Sequence, residues 1–158
     1  MKLLPLLALF VFFVVSGPAI AAEPQNLLTC PFFSVALPDD WKAVTPPEET
    51  AGIGMTKAHF ANTAGTSSVV LVVGSAGGLD TKTIAQTYAQ QYKAPKDPVE
   101  NNGQFTFSFS QQKMPCQAWV TTQDDMFMVT VVMGNQREGL NFVRKHVKSA
   151  DYPKLLPR

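Results

Sequence analysis

Chemistry needs side chains that trade protons, attack a substrate or hold a metal, and this chain has few of them in useful order. His59 and His146 are its only histidines, and neither has a Cys, Asp, Glu or second His at ligand spacing. A zinc site needs three or four such ligands in a tetrahedral array, so neither histidine nucleates one. His146 falls late in a basic segment, where a cation suits the negative end of a helix dipole. Asp39-Asp40 and Asp124-Asp125 are adjacent carboxylate pairs. They lack the glycine and the alternating oxygen ligands of a calcium loop, so solvated turns are expected there. Ser75 lies in Gly74-Ser75-Ala76-Gly77-Gly78. A nucleophile elbow reads G-x-S-x-G, and Ser75 is out of that register. The same loop lacks the glycine spacing of a dinucleotide turn, and Lys82 alone does not make a phosphate loop. With no catalytic set to start from, the expectation is a non-enzyme with neither metal nor cofactor.

The two cysteines, Cys30 and Cys116, raise a different possibility. An even count in an exported protein allows a disulfide. The bridge would close a long loop and could add about 4 kcal/mol by restricting the unfolded chain. Two separate buried thiols are the other reading, because spacing alone does not establish disulfide geometry. Leu27-Leu28-Thr29-Cys30 loosely matches a lipidation box, but Thr29 fits it poorly and the apolar run ends well before Cys30.

Export itself is expected from the N-terminus. Met1-Lys2 is a short basic start, Leu3 to Val15 is uncharged and apolar, and Ala19-Ile20-Ala21 forms a small-residue cleavage site. That is the order of a secretory signal peptide over residues 1–21, and the apolar run is short for a membrane span. A single domain over residues 22–158 is then expected in the periplasm or outside the cell, with no stable membrane span after cleavage. Losing Lys2 with the leader leaves basic and acidic side chains in equal number. Nothing in that balance calls for nucleic acid. The C-terminal segment is locally basic through Arg137, Arg144, Lys145, Lys148, Lys154 and Arg158. Without a run of like charges it reads as a solvated face and tail.

The elements that would position any site can be read from periodicity. Thr29 to Leu37 alternates as a strand, with Phe33, Val35 and Leu37 on one face. Pro38 opens a turn, and Trp41 to Val44 begins a second extended piece. Pro46-Pro47-Glu48-Glu49 reads as a connector, and Ile53 to Phe60 as a strand weakened by Gly54. Ser68 to Val73 is apolar on both faces, as a strand in mid-sheet should be. Asp80 caps a helix carrying Ile84, Tyr88 and Tyr92, which should stop by Ala94 ahead of Pro95. Asn102-Gly103 is a hairpin signal. After it, Phe105, Phe107 and Phe109 alternate with Thr106, Ser108 and Ser110. Nucleic-acid stacking surfaces interleave Lys and Arg instead, so these rings are expected in the core. Lys113-Met114-Pro115 should break the strand, with further strands at Cys116 to Thr122 and Met126 to Met133. Asn135 and Glu138 match the capping box of a last helix, whose buried stripe is Leu140, Val143 and Val147. Meander strands are antiparallel, and two amphipathic helices must each bury a face. The expected class is therefore α+β, an antiparallel or mixed sheet flanked by helices.

One stretch carries more. In Phe32 to Trp41, Phe33, Val35, Leu37, Pro38, Asp39 and Trp41 follow the pattern of an apolar strand, Pro, an acid, one residue and Trp. The chain resembles the Mog1/PsbP-like group, which includes the photosystem PsbP proteins, the Ran-binding Mog1 proteins and exported bacterial members of the DcrB type. Asp40 stands where the group usually has glycine. The resemblance implies an antiparallel sheet sandwiched between helices, with Pro38, Asp39, Asp40 and Trp41 as a structural turn and Trp41 anchored in the core. It implies no activity, since function sits on sites and not on folds. The expected role is that of an accessory or binding protein of the cell envelope, contacting another envelope protein through a sheet or helix face. The alternative is a small-ligand carrier with an apolar pocket between sheet and helix.

Overall fold

Sequence periodicity becomes topology in the computed structural model, which describes residues 26–50 and 54–158. The expected leader, residues 1–21, lies outside the described residues. In chain order the elements begin with strands β1 (Leu27–Thr29), β2 (Ser34–Ala36), β3 (Trp41–Thr50), β4 (Met55–Asn62) and β5 (Ser67–Ser75). Helix α1 (Thr81–Gln91) follows, then β6 (Val99–Asn101), β7 (Gln104–Gln111), β8 (Met114–Gln123) and β9 (Met126–Gly134). Helix α2 (Gln136–His146), β10 (Val147–Lys148) and a 3-10 turn (Pro153–Leu155) close the chain.

Seven strands form one sheet in the order β3-β4-β5-β9-β8-β7-β6, and every pairing in it is antiparallel. The doubly apolar β5 and β9 are neighbours in its middle, where both faces need cover. On one face α1 lays Ile84, Ala85 and Ala89 against Phe107, Phe109, Ala118 and Val120. On the other, α2 and a small sheet of β1, β2 and β10 enclose Phe33, Val35, Trp41, Phe60, Leu71, Phe142 and Val143. The fold is thus α+β, with an antiparallel sheet between two helical layers. At Gly139, α2 lies so close to β9 that a Cβ there would run into Val132.

The caps form as their residue types require. Asp80 accepts from Thr83 N at 2.7 Å and Asn135 from Glu138 N at 3.2 Å. The Asn102-Gly103 hairpin holds both residues at positive φ, 52° and 75°, which matches the right-handed twist of β6 and β7.

Several expectations are corrected. Residues 29–37 are not one strand. Pro31 cannot extend a ladder, and the chain reverses through Cys30 N donating to Phe33 O at 3.0 Å, which pairs β1 with β2. Pro46 and Pro47 belong to β3 rather than to a connector. β3 is an edge strand with two register shifts, the setting in which proline is tolerated. β4 begins at Met55; Ile53 lies outside the described residues. Pro115 is the second residue of β8 instead of preceding the strand, opposite Ser110 of β7 and just beyond the pairing with β9, which begins at Cys116. Its carbonyl is taken up by Gln136 Nε2 at 3.1 Å. Of the expected stripe, Val143 and Val147 are fully buried, but Leu140 is only half-buried and Val147 lies in β10 just past α2; Gly139 and Phe142 complete the buried side of the helix.

The structure holds no disulfide between Cys30 and Cys116. Both are free thiols: Cys30 packs against the core on the α2 face and Cys116 sits within the core on the α1 face, so the sheet stands between them. Burial pushes the Cys116 thiol above its ordinary pKa and makes it a poor nucleophile. Denaturant without reductant should therefore release two titratable thiols per chain. In native buffer Cys30 should react well before Cys116, which is 2% exposed. A count of zero thiols in denaturant would restore the bridge.

Candidate functional site

The residues singled out by sequence fall into structural roles. Trp41 N donates to Pro38 O at 3.0 Å, closing the expected turn. Asp39 and Asp40 are exposed, and the Asp40 carbonyl accepts from Thr63 N at 2.8 Å. Asp40 has no positive φ, so this turn does not need the usual glycine. Trp41 is 6% exposed and stacks on Phe142, with ring centroids 4.0 Å apart.

Ser75 and its glycines form no open anion loop. Asp125 already fills that loop: Oδ2 accepts from Ser75 Oγ at 2.8 Å and Oδ1 from Gly78 N at 3.0 Å. Those bonds, the Gly78 amide first, hold the Asp125 carboxyl below its usual range. His59, half-buried on β4, is pushed toward its neutral form by burial and then by Lys57. His146 lies against the Phe142 ring at 5.7 Å. Among the described residues no group of three His, Cys, Asp or Glu converges on a metal position. No described helix is long and apolar enough to cross a membrane.

The contrast between the two edges of the large sheet is what sequence reasoning missed. An edge strand offers unpaired amides and carbonyls to any passing chain, and native proteins usually blunt it. The β3 edge is blunted by Pro46, Pro47, Glu48, Glu49 and the two register shifts. The opposite edge is β6, only three residues long, and it covers β7 only from Gln104 to Thr106. Beyond that, Phe107 to Gln111 has no partner strand on its outer side among the described residues. This stretch contains neither proline nor charge.

The hairpin register fixes which groups are left over. β7 turns into β8 through the two-residue loop Gln112-Lys113, both at positive φ, so Gln111 and Met114 form the hydrogen-bonded pair flanking it. Such pairs alternate along an antiparallel ladder. Phe109 and Phe107 therefore bond to β8, whereas the amides and carbonyls of Ser108 and Ser110 point outward. No backbone bond joins this stretch to the neighbouring loop from Lys93 to Pro98. Two clefts flank the edge instead. A cleft of about 560 Å3 involves Lys93, Pro95, Ser108, Ser110, Gln117 and Gln136. A second, of about 320 Å3, involves Pro95, Lys96, Asp97, Val99 and Ser108. Behind the edge, Tyr92 stacks on Phe109 at 4.5 Å, which makes the strand a firm platform.

No family model matches the chain, and no curated protein matches it in sequence. Similar solved structures include the solution structure of the cyanobacterial PsbP, CyanoP, from Synechocystis sp. PCC 6803. It has a TM-score of 0.46 and 11% identity, covering 86% of this chain and 98% of that one. A crystal structure of a protein from Bacteroides thetaiotaomicron VPI-5482 has a TM-score of 0.45 and 13% identity over 76% of this chain. The chain spans about half of that protein, 46% of its length.

Proposed function

We propose that the chain is an exported, non-enzymatic binding module of the cell envelope, and that the β7 edge accepts an extended segment of another envelope protein. The observation that carries this reading is the unequal treatment of the two edges, one heavily blunted and the other left open beside two clefts. Strand addition at such an edge draws affinity from main-chain hydrogen bonds. Its specificity comes from pockets for alternate side chains of the incoming strand. The outward groups of Ser108 and Ser110 supply the bonds, and the clefts supply the pockets.

The leader pattern in residues 1–21 supports the periplasm or the cell exterior as the place of action. Membership of the Mog1/PsbP-like group, in its exported DcrB-type branch, belongs to the same proposal and rests on the Phe33–Trp41 pattern.

Photo-cross-linking in intact cells tests the edge. A photoreactive residue at Ser108 should give an adduct mapping to one extended segment of one partner, whereas the same residue at Glu49 on β3 should give none. Ser110→Pro removes an outward amide at an edge position that tolerates proline, so it should abolish the adduct while the protein stays folded. An adduct that survives Ser110→Pro, or one formed only with a second copy of the chain, would overturn the reading.

A further inference from the structure

At the other end of β7 lies a cavity of about 310 Å3, and its lining includes Asn102, Gln104, Thr121, Thr122, Lys154 and Arg158. Three features set it apart from an ordinary surface dent. Two of its residues are cations, and no residue lining it carries a carboxylate side chain. Its walls are tied together: Lys154 N donates to Gln123 Oε1 at 2.8 Å, and Thr121 Oγ1 donates to Leu155 O. These bonds fix the 3-10 turn carrying Lys154 onto β8, so the cavity keeps its shape without a ligand. Finally, Gln104 is 6% exposed, yet its Oε1 has no hydrogen-bond partner.

An unsatisfied amide in a nearly buried side chain is costly, and native proteins keep few of them. Hydrophobic side chains of similar size were open to this position, so the amide needs a reason to be there. A glutamine amide presents a donor and an acceptor side by side, and its terminal torsion is soft enough to turn either toward the cavity. The guanidinium fork of Arg158 suits a planar or tetrahedral oxyanion, and Lys154 adds a point charge. An occupant carrying both an oxyanion and a hydroxyl would meet the cations with the first and satisfy Gln104 Oε1 with the second. At about 30 Å3 per water molecule, the space holds roughly ten non-hydrogen atoms.

We infer that this cavity is a binding site for a small soluble oxyanion bearing a hydroxyl group, a phosphate monoester or a hydroxy acid. Glycerol 3-phosphate and malate serve as the phosphate and carboxylate probes. Titrated at millimolar concentration into the 15N-labelled exported protein, one or both should shift the amides of Asn102, Gly103 and Lys154 and the side-chain amide of Gln104 in a saturable way. Glycerol should not. The double variant Lys154→Ala with Arg158→Ala should weaken binding at least about tenfold.

Gln104→Met separates a ligand site from a structural one. It removes the unsatisfied amide at nearly constant volume, so it should melt no lower than the parent while binding about tenfold more weakly. Absence of saturable shifts with both probes would overturn the inference. So would shifts that persist undiminished in the double cation variant, or a Gln104→Met protein that melts lower and binds as before.

Discussion

Trp41→Ala is expected to lower the unfolding free energy by about 3–5 kcal/mol, the range for truncating a large buried aromatic. The size follows from where the ring lies. Trp41 is the first residue of β3, 6% exposed, and it belongs to the core enclosed by α2 and the small sheet. Its ring stacks on Phe142 at 4.0 Å with 17° between the planes, and Phe142 in turn meets Phe60 at 5.5 Å. Truncation therefore opens a cavity where the edge strand β3, helix α2 and the neighbouring strand β4 meet, and backbone collapse cannot easily fill it. Phe142→Ala should cost a similar amount. A double-mutant cycle between the two should give a coupling of about 0.5–1.5 kcal/mol beyond area burial. Urea unfolding with an unchanged m-value is the measurement. A loss below about 1 kcal/mol for Trp41→Ala would place the ring among tolerated surface residues and revive its reading as a stacking platform.

That pairing also marks the limit of what the sequence made legible. Local signals held up where a single residue type has a single local use. Asp80 and Asn135 cap helices, Asn102-Gly103 turns a hairpin, and the doubly apolar run inside β5 lies mid-sheet. These outcomes depend on neighbours within a few residues. The misses depend on distant ones. Phe142 falls outside the expected stripe of Leu140, Val143 and Val147, and rings far from it in sequence, Trp41 and Phe60, complete its place in the core. Prolines 46, 47 and 115 looked like breaks because their cost was judged as if each strand were central. Edge position and the end of the β9 ladder remove that cost. The candidate site was hidden for the same reason. Ser108 and Ser110 read only as the wetter face of a strand, and nothing local says that β6 is too short to cover them. Cys30 and Cys116 gave a count and a spacing but no indication that the sheet would separate them.

Asn62→Ala should be the other large loss, about 3 kcal/mol, although it removes no apolar surface of note. Asn62 ends β4, is 3% exposed, and is fully engaged. Its Oδ1 accepts from Thr66 N at 2.9 Å and Ser67 N at 3.1 Å, and its Nδ2 donates to Thr66 Oγ1 and Glu138 Oε1, each at 2.7 Å. Glu138 completes the knot by accepting from Thr66 Oγ1 at 2.9 Å. In the usual capping box, the acid at this position reaches back to its own cap. Here Glu138 reaches across to the β4–β5 turn and so fastens the start of α2 to the sheet. Alanine at 62 would strand two backbone amides and leave Glu138 Oε1 without its donor, and each buried orphan costs about 1–3 kcal/mol, less where water can enter beside exposed Thr66. Glu138→Gln keeps one acceptor, for Asn62, but gives up the acceptor used by exposed Thr66 Oγ1 together with the charge at the helix start, so it should cost about 1–2 kcal/mol. Asn62→Asp would set a second carboxylate against Glu138. Repulsion raises the folded-state pKa of that pair, so this variant should be weakest at neutral pH and regain stability as pH falls through the carboxylate range. Chemical denaturation of the three variants at neutral and acidic pH decides the matter. If Asn62→Ala costs no more than Glu138→Gln, the knot is a surface decoration, and α2 is held to the sheet by Phe142, Val143 and the close seat of Gly139 alone.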